Sequence, residues 1–211
     1  MVEPMIRQIT YTAFQMRKAE QEAVKRGISL NQLMENAGQS AAFEIMRELP
    51  TLQQGLMICG SGNNAGDALV MARILSQYGL PSDVVFMLDK ELSDLSLENL
   101  NKLPQTIRIL KPEQVNLADY DFFVDAVFGT GFKGELPLNV AKLFHKINKI
   151  TAIRLALDVP SGLNCDTGEA QPDTFRAQIT YALGALKPAH VMPNATIYCG
   201  DITCLDIGIF E

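Results

Sequence analysis

Basic residues are in the minority: 18 Lys and Arg stand against 24 Asp and Glu, a net charge of −6. Nucleic acid is therefore not an expected partner, because holding its phosphates calls for a basic face. An anionic small molecule remains compatible, through local backbone dipoles. Nitrogen and sulfur ligands for a metal are also scarce. The histidines are His145 and His190, and the cysteines Cys59, Cys165, Cys199 and Cys204 form no C-x-x-C pair. A zinc site is not expected, and reduced thiols in a cytoplasmic chain are the simpler reading. No apolar run is long enough to span a bilayer. The stretch MVEPMIRQITYT has no apolar h-region, so no secretory leader is expected. Internal repeats, low-complexity tracts and linkers are missing too. What is present, 47% hydrophobic and 20% charged over 211 residues, suits one globular domain, residues 1–211, with a substantial core.

The stretch Leu56 to Gly79 organises the rest. Leu56 to Cys59 is a short apolar run, the length of a buried strand. Leu69, Met71, Ala72 and Leu75 follow at helical spacing, and Gly79 reads as a helix stop. Between them lies a turn rich in glycine and asparagine. A strand feeding a helix through such a turn makes an anion site, since free N–H groups and the positive helix end point the same way. Gly60, Gly62 and Ala65 fit G-x-G-x-x-[GA], a dinucleotide fingerprint. No GK[ST] follows, which argues against a triphosphate P-loop. Asn63, Asn64 and Asp67 are not needed by a phosphate cradle, and they add hard oxygens and amide donors beside the turn.

Thr10 or Thr12 can cap a first helix running to about Arg26, with Gly27 as its stop. Ser29 to Gln32 reads as a capping box, followed by Leu30, Leu33, Met34, Ala37, Ala41, Ile45 and Leu49 at helical spacing. The small residues Ala37, Gly38, Ser40, Ala41 and Ala42 would allow close approach to another backbone or serve a subunit contact. Further on, Val84–Leu88, Thr106–Leu110, Asp121–Phe128 and Ile150–Val159 read as strands, and Ser93–Leu103 and Leu138–Asn148 as helices. The tail gives three strand-like runs, ITYAL, ATIYC and DITCLDIGI. Strands alternating with helices imply an α/β fold whose mostly parallel sheet is covered on both faces, behind an N-terminal helical pair.

Three polar segments end expected strands: GSGNNAGD, VDAVFGTGFKGEL and LDVPSGLNCDTGE. In open α/β sheets ligands bind outside the carboxyl ends of the strands, so all three should face one crevice. Taken singly, each has a plainer reading. Asp125 could be a core carboxylate bonded to backbone N–H groups, and Asp158, before Pro160, could make an Asx turn.

Together these segments resemble a known family. GSGNNAGDALVMAR resembles the GxGNNGGDGLVAAR signature of the YjeF N-terminal family, the NAD(P)H-hydrate epimerases. VDAVFGTGF, DVPSGLNCDTG, the LMENAG string and the tail ALKPAH…CGDITCLDIGI match further blocks in order. The resemblance implies a three-layer αβα, Rossmann-like fold, often a homodimer. It implies interconversion of the R and S forms of NADHX and NADPHX, the hydrates of the reduced nicotinamide cofactors, and one bound potassium ion (K+). Carried over by position, Asn63, Asn64, Ala65, Gly66 and Asp67 would touch the hydrate. Gly129, Thr130, Gly131, Phe132, Lys133, Gly134 and Glu135 would wrap its phosphates. Asp158 would face the reacting end, and Asn64, Asp125 and Ser161 would hold the potassium. Hard cations favour such oxygen ligands.

Ala65 and Ala68 depart from the pattern, each standing where the family has glycine. Positive φ at position 65 would cost alanine on the order of 1 kcal/mol, and its methyl could crowd the cofactor. The hydrate carries a hydroxyl on the carbon next to the ring nitrogen. Once protonated it can leave as the nitrogen lone pair forms an iminium ion, and water can return to the other face. One carboxyl could serve both directions, with Asp158 the first candidate and Asp67 the second, as a brace of the turn. Two other readings stay open. One is a scaffold module without the reaction, as in eukaryotic relatives of messenger-RNA decapping complexes. The other is an NAD-dependent dehydrogenase, for which Asp89 loosely fits the ribose-binding acid. The chain stops at Glu211, so a separate ADP- or ATP-dependent dehydratase is expected to consume the product.

Overall fold

The computed structural model describes residues 9–210; residues 1–8, most of the stretch read for a leader, lie outside them. Seven strands form one sheet in the order β3-β2-β1-β4-β5-β6-β7, and every pairing is parallel. They are β1 (Gly55–Cys59), β2 (Ser82–Phe86), β3 (Ile109–Leu110), β4 (Phe122–Ala126), β5 (Ile153–Leu157), β6 (Ile179–Leu183) and β7 (Asp201–Leu205). The helices are α1 (Ala13–Lys25), α2 (Leu30–Glu48), α3 (Asn63–Gln77), α4 (Asp94–Asn101), α5 (Leu138–Ile147) and the single turn α6 (Thr196–Cys199). The expected αβα layering holds, with a wholly parallel sheet.

Alternation along each strand divides the core. Met57, Cys59, Phe122 and Val124 pack with α2 and α3 on one face. Leu56, Ile58 and Phe123 pack with Val140, Phe144 and Ile147 of α5 on the other. Asp125, in register with Ile58 of β1 and Ala156 of β5, is fully buried. Helix α3 is buried along most of its length, which explains why its sequence is apolar on more than one side.

The small residues of α2 are used within the chain. A Cβ on Gly38 would meet Val70 Cβ at 2.5 Å and Asp67 O at 2.6 Å, so glycine lets α2 lie directly on α3. Thr12 caps α1 in a full capping box with Gln15. Ser29 caps α2, accepting from Gln32 N, but the Gln32 side chain donates to Asn36 Oδ1 at 2.8 Å instead of closing the expected box.

Three strand expectations shift. ATIYC is not a strand: Thr196–Cys199 forms one helical turn, with Thr196 N bonded to Met192 O at 3.1 Å. Its β-branched and aromatic residues suit a strand, but the edge beside β6 is taken by β7. Thr106–Leu110 contracts to two residues at the sheet edge, where short strands limit unwanted pairing. The second strand begins at Ser82, two residues earlier than its apolar pattern. Buried Asp83 is tolerated there because Arg108 Nε donates to its Oδ1 at 2.9 Å and Tyr120 OH to its Oδ2 at 2.8 Å.

Candidate active site

Chain order reverses between β1 and β4, and their carboxyl ends open onto one cleft of about 490 Å³. Gly60 sits where β1 leaves the sheet, and a Cβ there would run into Val127 O. Its role is to let β1 and β4 close on each other. Gly62 has open space beside it and forms the N-cap of α3 without any side-chain cap. The turn is braced from behind: Ser96 Oγ donates to Gly62 O at 2.8 Å, and Ser93 N to Ser61 O at 2.8 Å.

Asn63, Asn64 and Asp67 all line the cleft from the first turn of α3. Ala65 and Gly66 do not. Both face the core, and a Cβ on Gly66 would strike the Met34 sulfur. Ala65 has ordinary helical backbone, since among the described residues the non-glycine positive φ values belong to Asp158 and Asp173. Neither the strain nor the crowding expected of Ala65 arises, and Ala68 is likewise a core residue.

The loop after β4 contributes Gly129, Thr130, Gly131 and Phe132. Phe132 N donates to Gly129 O at 3.2 Å, and its ring packs against Phe128 at 5.1 Å. Among the described residues, the N–H groups of Gly129, Thr130 and Gly131 have no hydrogen bond within the protein. Lys133, Gly134 and Glu135 are exposed and lie outside the cleft, because the chain has turned away after Phe132.

Asp158 follows β5 at φ +67°. Val159 N bonds Leu157 O at 2.9 Å, closing a tight turn centred on Asp158, a strained geometry of the kind that gathers at functional sites. Its side chain makes no Asx turn. Oδ1 receives the Lys187 ammonium and Leu183 N, the latter at 3.4 Å. Oδ2 faces Gly129, whose missing Cβ would lie 3.4 Å from it. Lys187 is 1% exposed and also donates to Leu183 O at 2.8 Å. His190 Nδ1 accepts from Lys187 N at 3.1 Å, so this ring nitrogen is unprotonated. Burial, and then the Lys187 charge, lower the His190 pKa to about 4.

Lys187 and Glu20 are the residues sequence reasoning missed. Lys187 stood in the ALKPAH block, where a lysine four residues after an apolar strand was the available signal. Glu20 lies on α1 and gave none. It faces the cleft with Met16 and Arg17. The Asp67 carboxyl is pushed well above the usual range by burial first, then by the charges of Asp158 and Glu20. Among the described residues Asp67 has no side-chain hydrogen bond, so it does not brace the turn in that way.

Asp125 and Ser161 sit behind the cleft, not in it. Ser161 N donates to Asp125 Oδ2 at 2.6 Å, Ser161 Oγ to Oδ1 at 2.7 Å and Val127 N to Oδ1 at 3.2 Å. Burial raises the Asp125 carboxyl to about 7 against these bonds, which favour its charge. Asn64 Nδ2 donates to Leu157 O at 3.2 Å, while its buried Oδ1 has no partner. Asp89 is exposed and away from the cleft.

Among known proteins, an NAD(P)H-hydrate epimerase of Elusimicrobium minutum is 34% identical, the match covering 95% of this chain and 96% of that protein. The bifunctional NAD(P)H-hydrate repair enzyme Nnr of Coxiella burnetii is 33% identical over 96% of this chain, which spans only 42% of that relative. A crystal structure of the yeast protein YNL200c superposes with a TM-score of 0.78 over 89% of this chain and 86% of that one, at 24% identity, a likeness of fold. The model of the YjeF-related protein N-terminus matches residues 30–189, and the chain belongs to that family.

Proposed function

We propose that this chain is an NAD(P)H-hydrate epimerase, interconverting the R and S hydrates of NADH and NADPH. The observation that carries the reading is the pairing, in one cleft, of an anion-ready turn with a held carboxylate. The N-terminus of α3 and the free N–H groups of Gly129, Thr130 and Gly131 offer donors and positive dipole to a pyrophosphate. Asp158 lies beside them, with Lys187 holding Oδ1 and leaving Oδ2 towards Gly129 and Asn64.

The chemistry asks for little else. A carboxyl protonates the departing hydroxyl, and a carboxylate takes the proton of the arriving water. Asp158 is the group placed for this exchange, and Asp67, whose carboxyl keeps its proton to higher pH, stands beside it as a donor. A dehydrogenase would need an acidic ribose anchor after β2, and Asp89 lies outside the cleft.

Asn64, Asp125 and Ser161 are the residues that would hold potassium. The fit rests on Asn64 Oδ1, a buried oxygen without a donor, and on a fully buried carboxylate nearby in the sheet. The ion would supply positive charge that offsets the burial of Asp125. The hydrate epimer formed here would pass to a dehydratase. Two copies of the chain would form the homodimer that the family resemblance implies.

The test is epimerisation of a single purified hydrate, followed by chiral separation, with the uncatalysed rate subtracted. Enzyme-dependent equilibration of R and S is expected. NADH oxidation in place of equilibration would favour a dehydrogenase, and binding without turnover a scaffold.

A further inference from the structure

The cleft has a floor and a cover made from different parts of the chain. Asp67 and Asp158 belong to the floor, at the carboxyl edge of the sheet and the first turn of α3. Glu20 belongs to α1, which lies over the same cleft. Three bonds pin α1 there: Tyr11 N to Leu186 O at 2.7 Å, Ala13 N to Asp166 Oδ1 at 2.8 Å and Arg26 Nη2 to Ile209 O at 2.6 Å. Glu20 is half-buried and, among the described residues, forms no ion pair and no side-chain hydrogen bond. A structural carboxylate on a helix surface would be expected to face solvent or to pair with Arg17 one turn earlier. Instead it lines the cleft that Asp67 and Asp158 share.

Inversion adds a second place where a proton must move. The hydroxyl leaves from one face of the ring and water must arrive on the other. We infer that Glu20 is a second catalytic carboxyl, serving the ring face opposite Asp158. The inference rests on the epimerase reading above.

In one direction, a floor carboxyl gives its proton to the hydroxyl. The C–O bond breaks, water leaves, and the nitrogen lone pair becomes the second bond of the iminium. A water on the cover side then forms the new C–O bond, and the iminium electrons return to nitrogen. That water gives its extra proton to Glu20. One proton has crossed from floor to cover, and solvent returns it. In the other direction the two carboxyls exchange roles. Burial raises the Glu20 carboxyl, the Asp158 charge adds to that, and Lys187 and Arg17 oppose it.

The floor alone can still do half of this. It can expel the hydroxyl and take water back on the same face, which exchanges oxygen with solvent and leaves the configuration unchanged. The experiment therefore follows two quantities for each pure hydrate epimer in ¹⁸O-water: inversion, and label uptake with retention. Wild type, Glu20→Gln and Glu20→Asp are compared, with uncatalysed rates subtracted and hydrate affinity measured by calorimetry. Glu20→Gln should lose about 100-fold or more in inversion and keep retentive exchange for one of the two epimers near the wild-type rate. Glu20→Asp should recover part of the inversion. Equal loss of inversion and exchange would reduce Glu20 to a structural or binding role, and unchanged inversion would remove it from the reaction. A wild-type protein that does not invert either hydrate would overturn the epimerase reading, and the Glu20 assignment with it.

Discussion

Replacing Asp158 with asparagine should cost stability as well as rate. Asparagine tolerates the left-handed backbone about as well as aspartate, so φ +67° is not the difficulty. The difficulty is Lys187, 1% exposed, whose counter-charge would be gone. Removing one partner of a buried pair costs about 3–5 kcal/mol, because the other charge remains buried. Asp158 keeps 11% side-chain exposure at the cleft wall and Lys187 keeps its bond to Leu183 O, so the lower end, about 3 kcal/mol, applies. With a urea m-value of about 3 kcal/mol/M, the midpoint should fall by about 1 M. Asp158→Asn combined with Lys187→Met removes both charges and should recover much of that loss. Both variants should epimerise at least about 100-fold more slowly. Urea melts followed by circular dichroism give the midpoints, and the chiral assay gives the rates. A single variant that melts with wild type, or a double variant that melts below the single, would refute the ion-pair argument. A single variant with near wild-type turnover would refute the catalytic one.

Ala65→Gly with Ala68→Gly should lower stability by about 1 kcal/mol per site, from helix propensity alone, and leave hydrate affinity unchanged, since both methyls lie in the core; calorimetric titration showing tighter binding would contradict this. The His190 pKa is depressed to about 4, so the unfolded chain takes up the proton first. Stability from this group is full above about pH 6.5 and is lost as pH falls towards 4, by roughly 3 kcal/mol at most; His190→Asn should flatten that slope in denaturation series. Potassium should raise the melting temperature of wild type more than tetramethylammonium does, and Asn64→Leu should abolish the difference. Equal shifts in both salts would argue against the cation site.

The fold was legible where burial dictates composition. Leu56–Cys59 and Ile153–Leu157 are continuous apolar runs because a parallel sheet is covered on both faces. It was less legible where a polar pair replaces an apolar one, as at Asp83 with Arg108 and Tyr120, or where a β-prone tetrapeptide found its sheet edge occupied, as at Thr196–Cys199. In the site, local strings gave the floor: Asn63, Asn64, Asp67, Gly129, Thr130, Gly131, Phe132 and Asp158 all line the cleft. They overreached at Ala65 and Gly66, because one turn of helix presents two residues to a ligand and the next two to the core. Lys187 was hidden by distance. It meets Asp158 only because β6 returns beside β5, which no local pattern records. Glu20 was hidden by topology, since α1 lies outside the strand-turn-helix units that signal a crevice.

The composition of the cleft fits a reaction that moves protons and no hydride. Three carboxyls, Glu20, Asp67 and Asp158, face one buried lysine. Like charges so placed in a partly buried site cannot all be ionised together at modest cost, and the burden falls on Asp67 and Glu20, whose carboxyls are raised by burial and by Asp158. These two carboxyls therefore hold their protons to higher pH than exposed ones would. Epimerisation needs a proton given on one face and another taken on the other. The strained turn at Asp158 and its bond to Lys187 fix one carboxyl against the sheet, and α1 brings Glu20 to the same cleft. The sheet supplies the rigidity, and the N-terminal helix supplies the second face.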